Sequence, residues 1–170
     1  MCTKLTSVDY ARLIQYTAAK MCKILLNKTQ VNKILFYVYG AYLADTGKCL
    51  FDDDTPKAWT YGPVFPIPNK RIKSGEEIEL SDIPKEKINV FKENQIAVKL
   101  IKEAVSNMSN KTAVELSRWS HEKGAPWDKT IYERDDKGTV VQQHAWNTIV
   151  ESKIIEDYFK NKKNRIFDGK

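Results

Sequence analysis

The chain has 170 residues, a length that predicts a single domain. Its 42% hydrophobic and 11% aromatic content excludes a wholly disordered chain, and seven glycines with six prolines exclude a collagen-like or low-complexity one. The formal charge of +6 invites a nucleic-acid or membrane reading, but that charge is unevenly spread. Lys160, Lys162, Lys163, Arg165 and Lys170, against the single acid Asp168, put four of the six net charges in the last eleven residues. The expected layout is a nearly balanced helical domain over residues 1–160 and a basic tail over residues 161–170.

Residues 8–26 read as an amphipathic helix, with Val8, Ala11, Ile14, Ala18, Met21 and Leu25 at helical spacing and Ser7 as its cap. A polar break over residues 27–30 precedes a second helix over 31–45, stopped by Thr46-Gly47. That helix is apolar nearly all round, which places it at the centre of the fold. Residues 48–51 and 57–61 flank the acidic stretch Asp52-Asp53-Asp54-Thr55-Pro56 and predict a small hairpin. Gly62-Pro63 ends that segment, with Pro63 suited to open a helical turn. Residues 69–86 are polar and read as a mobile loop, with Ile78 and Leu80 alternating as in a short strand.

From Pro84 a helical pattern runs to Met108, with a break expected near Asn94. Thr112 and Glu115 have capping-box spacing and start a helix that carries Val114, Leu116 and Trp119. It stops at Gly124, and residues 127–132 form one further turn. Residues 133–147 read as loop, with Asp136-Lys137-Gly138 a turn signal. Ser152 caps a last short helix bearing Ile154, Ile155, Tyr158 and Phe159. The fold class is mainly α: a single compact helical domain around a central hydrophobic helix, with a small β-hairpin or short strands.

Catalytic chemistry finds little footing. The two histidines, His121 and His144, belong to no zinc, serine-hydrolase or phosphate-binding motif. Cys2, Cys22 and Cys49 form neither a disulfide framework nor a zinc knuckle and read as reduced thiols of a cytoplasmic protein. A cysteine–histidine pair that meets in space is left open by the sequence, and Lys48 beside Cys49 would favour a thiolate there. The triplet Asp52-Asp53-Asp54 lacks calcium-loop spacing and reads as a solvated turn. No catalytic residue, cofactor or metal ligand is assigned, and the chain is expected not to be an enzyme. Residues 1–8 lack a signal-peptide layout, and the longest apolar run, residues 34–44, is too short for a membrane span of about 20 residues. Nucleic acid is a weaker partner expectation, resting on the tail with Lys70, Arg71 and Lys73; a solvated tail is the simpler reading. Trp59, Tyr61, Trp119, Trp127 and Trp146 are many large rings for a small body, suited either to a core or to a protein interface.

Three stretches carry a family resemblance. The first runs from Asn32-Lys33-Ile34-Leu35-Phe36-Tyr37 through Asp45-Thr46-Gly47-Lys48 to Leu50-Phe51. The second is Ala58-Trp59-Thr60-Tyr61-Gly62-Pro63-Val64-Phe65-Pro66, and the third is Leu116-Ser117-Arg118-Trp119-Ser120-His121 followed by Pro126-Trp127. In this order, over roughly residues 8–160, they resemble the Panacea domain of the SocA-like antitoxins, a family that includes phage-associated GepA-type proteins. The resemblance implies a helical domain that neutralises a cognate toxin by direct contact, in a two-gene toxin–antitoxin module. It also implies that some members hand the toxin to an AAA+ protease. The alternative is a phage or mobile-element protein that binds a host protein or nucleic acid through its basic tail.

The motif residues Asn32, Lys33, Tyr37, Gly47, Trp59, Tyr61, Gly62, Pro63, Val64, His121 and Trp127 are expected to serve the fold. The partner interface is expected on the charged loop and the helix after it, at Lys70, Arg71, Lys73, Glu76, Glu77, Lys85 and Lys87.

Overall fold

A computed structural model describes residues 4–167. Helix α1 (Ser7–Cys22) is capped by Thr6, one residue before the expected Ser7. Thr6 and Asp9 form a reciprocal capping box, and Ser7 is drawn away to donate its N–H and hydroxyl to the Asp53 carboxylate, both at 2.8 Å. The helix stops at Lys23, which takes a left-handed conformation. Helix α2 (Lys28–Thr46) is opened by an Asn27–Gln30 capping box and closed by Gly47, whose N–H reaches Leu43 O at 2.8 Å. Every residue from Val31 to Ala41 is buried, as the all-round apolar pattern predicts for a central helix.

The hairpin falls one segment downstream of its expected place. Strands β1 (Lys57–Trp59) and β2 (Gly62–Val64) pair antiparallel across Thr60-Tyr61, and a short strand, residues 148–149, adds to the other side of β1. Pro63 therefore lies in an edge strand, where its missing N–H breaks no ladder, and Pro66 opens helix α3 (Pro66–Arg71) instead. Residues 48–51 form no strand. Phe51 is instead fully buried, its ring centroid 5.0 Å from Phe65 and 5.1 Å from Tyr39. The acidic triplet is exposed at Asp52 and Asp53, as expected of a solvated turn, but its carboxylates are also engaged. Asp53 holds the start of α1, Asp54 accepts the Ile67 N–H at 2.7 Å at the start of α3, and Asp52 pairs with Lys4. Two carboxylates thus sit where two helices leave N–H groups unpaired.

The segment expected to be a mobile loop is pinned. Ile72, Ile78 and Ile83 are buried, Gly75 N–H reaches Leu26 O at 2.9 Å, and Lys28 N–H donates to Ser74 Oγ at 3.0 Å. Apolar anchors at three points outweigh the charge between them. The following helices α4 (Lys85–Glu93) and α5 (Gln95–Met108) part at Asn94, whose side chain caps α5 through Ala97 N–H. Helix α6 (Ala113–Ser120) carries the expected Thr112–Glu115 capping box and leads to α7 (Pro126–Ile131).

A second hairpin, Tyr132–Arg134 with Val140–Gln143, occupies the stretch expected to be loop. Its foot is tied by Arg134, which donates to both oxygens of buried Asp128 at 2.6 and 2.9 Å, and its turn by Asp135, which accepts the Lys137 and Thr139 N–H groups. Helix α8 (Ser152–Lys160) packs along α2. Beyond it, residues 161–167 fold back rather than trail as a solvated tail. Lys162 and Arg165 both reach Asp45 at 2.9 Å, and Phe167 packs at 5.1 Å from Trp119 and 5.5 Å from Tyr37. Burial would raise the Asp45 carboxyl, but Arg165 and Lys162 outweigh it and hold the group below the usual carboxylate range. Cys2, Asp168 and Lys170 lie outside the described residues. Among those described there are eight α-helices, none long and apolar enough to cross a membrane.

Helix α8 approaches α2 at Gly40, where an added Cβ would overlap the Phe159 ring. Phe159 is fully buried, with its ring packed against Phe36 and Tyr37. Gly40→Ala is expected to destabilise the domain by about 1–3 kcal/mol through overpacking, despite the better helix propensity of alanine. A lower urea midpoint with an unchanged slope is the result that checks it.

Candidate protein-binding site

Nine of the motif residues converge on the β1–β2 hairpin. Gly62 has φ +106°, and a Cβ there would overlap Ser120 Oγ and lie 2.9 Å from Lys33 Nζ, so only glycine lets the hairpin lie flush on α2 and α6. Asn32 Oδ1 accepts the Phe65 N–H at 3.1 Å, and its amide donates to Asn69 Oδ1 at 3.2 Å. Lys33 Nζ donates to Pro63 O at 3.1 Å. From the other side, His121 Nε2 faces Thr60 O at 3.0 Å while Nδ1 faces Ser117 O at 2.5 Å. Trp127 Nε1 donates to Trp59 O at 2.7 Å, and Trp59 Nε1 donates to Asn147 Oδ1 at 3.0 Å. Three helices thus grip a hairpin too short to stand alone.

What the grip presents outward is aromatic. Tyr61 at the tip is 74% exposed and Trp146 46% exposed, with Trp59 half-buried between elements. Trp146 stacks on buried Trp127 at 5.8 Å and 21° between planes. Trp59, Tyr61 and Trp146 with Thr60 and Asn147 line a shallow depression of about 470 Å³. A smaller cavity of about 200 Å³ adjoins it, lined by Asn32, Lys33 and Asn69 and again by Trp59 and Tyr61.

Lys33 is the electrostatic anomaly of the site. It is 1% exposed, and burial alone pushes its amine down to about 7. Among the described residues its hydrogen bond goes to a backbone carbonyl and no carboxylate offsets the cost of its charge.

A family model described as Antitoxin SocA-like, Panacea domain, matches residues 31–128. The chain belongs to this family. No curated protein and no solved structure matches it. The matched span starts at the first buried residue of α2 and ends in α7, so it contains the hairpin and nearly everything that grips it.

Two motif residues of the Panacea domain lie elsewhere. Gly47 caps the far end of α2, and Tyr37 packs against Trp119 and Phe159 and donates its hydroxyl to Arg165 O. Of the residues expected at the partner interface, Lys70, Arg71, Lys73, Glu77 and Lys85 are exposed and Glu76 is half-buried. Lys87 is engaged inside the molecule, bonded to both oxygens of Asp9 at 2.8 and 2.9 Å. Ser120 stood in the third motif stretch without a role of its own, and Asn147 stood in none of the three. The signal for Asn147 was a residue type that tolerates positive φ beside a tryptophan in a polar stretch; its φ is 73°. Among the described residues, no group of three or more His, Cys, Asp or Glu is placed to hold a metal ion.

Lys33 gives the Panacea domain a pH dependence of definite sign. Below about pH 7 the amine is protonated in both states and the folded chain carries the full cost of a buried charge. Between that value and the ordinary 10.5, the unfolded chain holds a proton that the folded chain has released, so stability rises with pH. Raising the pH from about 7.5 to about 9 is expected to add on the order of 2 kcal/mol to the unfolding free energy, and Lys33→Met should abolish that rise. Urea unfolding of both proteins at the two pH values measures it.

Proposed function

We propose that this Panacea domain neutralises a toxin protein by binding it directly through the face formed by Trp59, Tyr61 and Trp146. The observation that carries the reading is a set of large rings left exposed on a hairpin that is gripped from three helices. Rigid aromatic side chains are the commonest anchors of protein interfaces, because they bury a large area and lose little conformational freedom on binding. A stable complex would bury about 1,200–2,000 Å² in total, more than the rings supply. Lys70 and Arg71 follow Asn69, which shares the adjoining cavity with Tyr61, and supply exposed charge beside the rings. Lys73, Glu76, Glu77 and Lys85 extend that charged surface and match it to one toxin by complementarity.

The proposed activity is binding without catalysis. Both ring nitrogens of His121 face backbone carbonyls, and Cys49 Sγ accepts from the Tyr39 hydroxyl at 3.4 Å, so both groups are engaged in holding the fold. Delivery of the bound toxin to an AAA+ protease would be a further step, one that the resemblance implies for some members of the family. It would show as a toxin half-life that shortens when this chain is co-expressed.

Affinity capture from the native host, washed at high salt, is expected to yield a stoichiometric protein that arrests growth when expressed alone. Co-expression of this chain should relieve the arrest. Tyr61→Ala removes an exposed ring and should weaken the complex at least tenfold without moving thermal unfolding, and Trp146→Ala should weaken it further. A captured protein that is harmless alone, full relief by both variants, or capture of salt-labile nucleic acid alone would each overturn the proposal.

A further inference from the structure

We propose that the smaller cavity between α2 and the β1–β2 hairpin is a carboxylate pocket, which takes an aspartate or glutamate side chain of the bound protein with Lys33 as its cation. The inference rests on the protein-binding reading above but has its own evidence. A lysine ammonium has three N–H donors, and among the described residues Lys33 makes one hydrogen bond, to Pro63 O. Its position is 1% exposed, where an unpaired charge is at its most costly. No acidic residue lines the cavity; the polar residues that line it with Lys33 are Thr29, Asn32 and Asn69. The cavity volume of about 200 Å³ exceeds the roughly 30 Å³ of a water several-fold and accommodates a carboxylate with its methylene stem. Trp59 and Tyr61 also line it and offer an apolar wall to that stem.

The chemistry of the occupant follows from what is missing. A neutral ligand supplies no counter-charge for the protonated amine, and a cation would oppose its protonation. An acid supplies two acceptor oxygens and the absent counter-charge. Among the residues that line the cavity, the titratable side chains are Lys33 and Tyr61, and none is a carboxylic acid; Lys57 on β1, Lys70 and Arg71 on α3, and Glu115 and Arg118 on α6 do not line it. A carboxylate entering the pocket therefore draws a proton onto Lys33, and binding weakens as pH rises.

The test titrates the full chain, with lysine side chains labelled with ¹³C, against N-acetylglutamate N-methylamide and its neutral glutamine counterpart. The glutamate probe should give a saturable shift of the Lys33 Cε resonance and of the Trp59 indole N–H, and the glutamine probe none. Saturating probe should raise the Lys33 titration midpoint by about one unit, which by linkage makes binding about tenfold weaker at pH 9 than at pH 6. Lys33→Met should abolish the response. An equal response to glutamine, no response to either probe, or pH-independent binding would overturn the pocket. Tighter binding of N-acetylalanine would assign it to a chain terminus and overturn the side-chain occupant. A silent probe leaves the toxin-binding reading to the capture experiment, and a failed capture leaves the probe result standing.

Discussion

A helix with no face toward solvent has to be enclosed, and α2 has none from Val31 to Ala41. Its apolar positions are met by helices: α1, α5, α6 and α8 all pack on it, and Gly40 lets α8 come close enough for Phe159 to fill the gap. Its two polar positions set a different demand. Asn32 and Lys33 are buried beside each other, and a buried amide and amine need hydrogen-bond partners beyond the Asn69 side chain to which Asn32 donates. The backbone of the β1–β2 hairpin and the residue after it meets that demand, through Pro63 O and Phe65 N–H. Two polar residues in an otherwise apolar helix thus decide where the hairpin sits.

The placement has a consequence at the surface. Strands of three residues joined by two gain too little from their own ladder to hold one conformation. Here the carbonyls of Trp59, Thr60 and Pro63 are each fixed by a side chain from a different helix or helix end. The tip residue Tyr61 is consequently exposed on a stiff support, and Trp146 is held by stacking on Trp127. Ordering these rings before any partner arrives removes part of the entropy that association would otherwise cost.

Features set by neighbours in sequence were legible in the sequence. The apolar run of α2, the Thr112–Glu115 box, the Gly47 stop and the Asn94 break each depend on residues within a turn or two. So were the three motif stretches, and the fold shows why they belong together, since they meet at one hairpin. Features set by distant partners were not. Asp53 is 46 residues from the Ser7 it binds, and Arg165 is 120 from Asp45, so the acidic triplet read as solvated and the C-terminal segment as free. The loop over residues 69–86 misled in another way: its composition is polar, but the isoleucines at 72, 78 and 83 decide where it lies. Exposure of Trp146 also had no local signature, because the same ring type is buried at Trp127.

The division of labour within the site bears on how such a domain would choose its partner. Asn32, Lys33, Gly62, His121 and Trp127 direct their polar atoms or their backbone geometry inward, against the hairpin. Changing any of them alters the support before it alters a contact with another protein. Tyr61, Trp146 and the charges at Lys70, Arg71 and Lys85 make few or no internal bonds and can vary at little cost to the fold. Lys33 stands between the two groups, since it supports the hairpin through one hydrogen and, when protonated, keeps two donors unassigned. A buried amine that served only to hold Pro63 O could be replaced by a neutral donor with a gain in stability. That cost is better understood if the charge is completed from outside, which would make Lys33 the point where support for the fold becomes recognition of a partner.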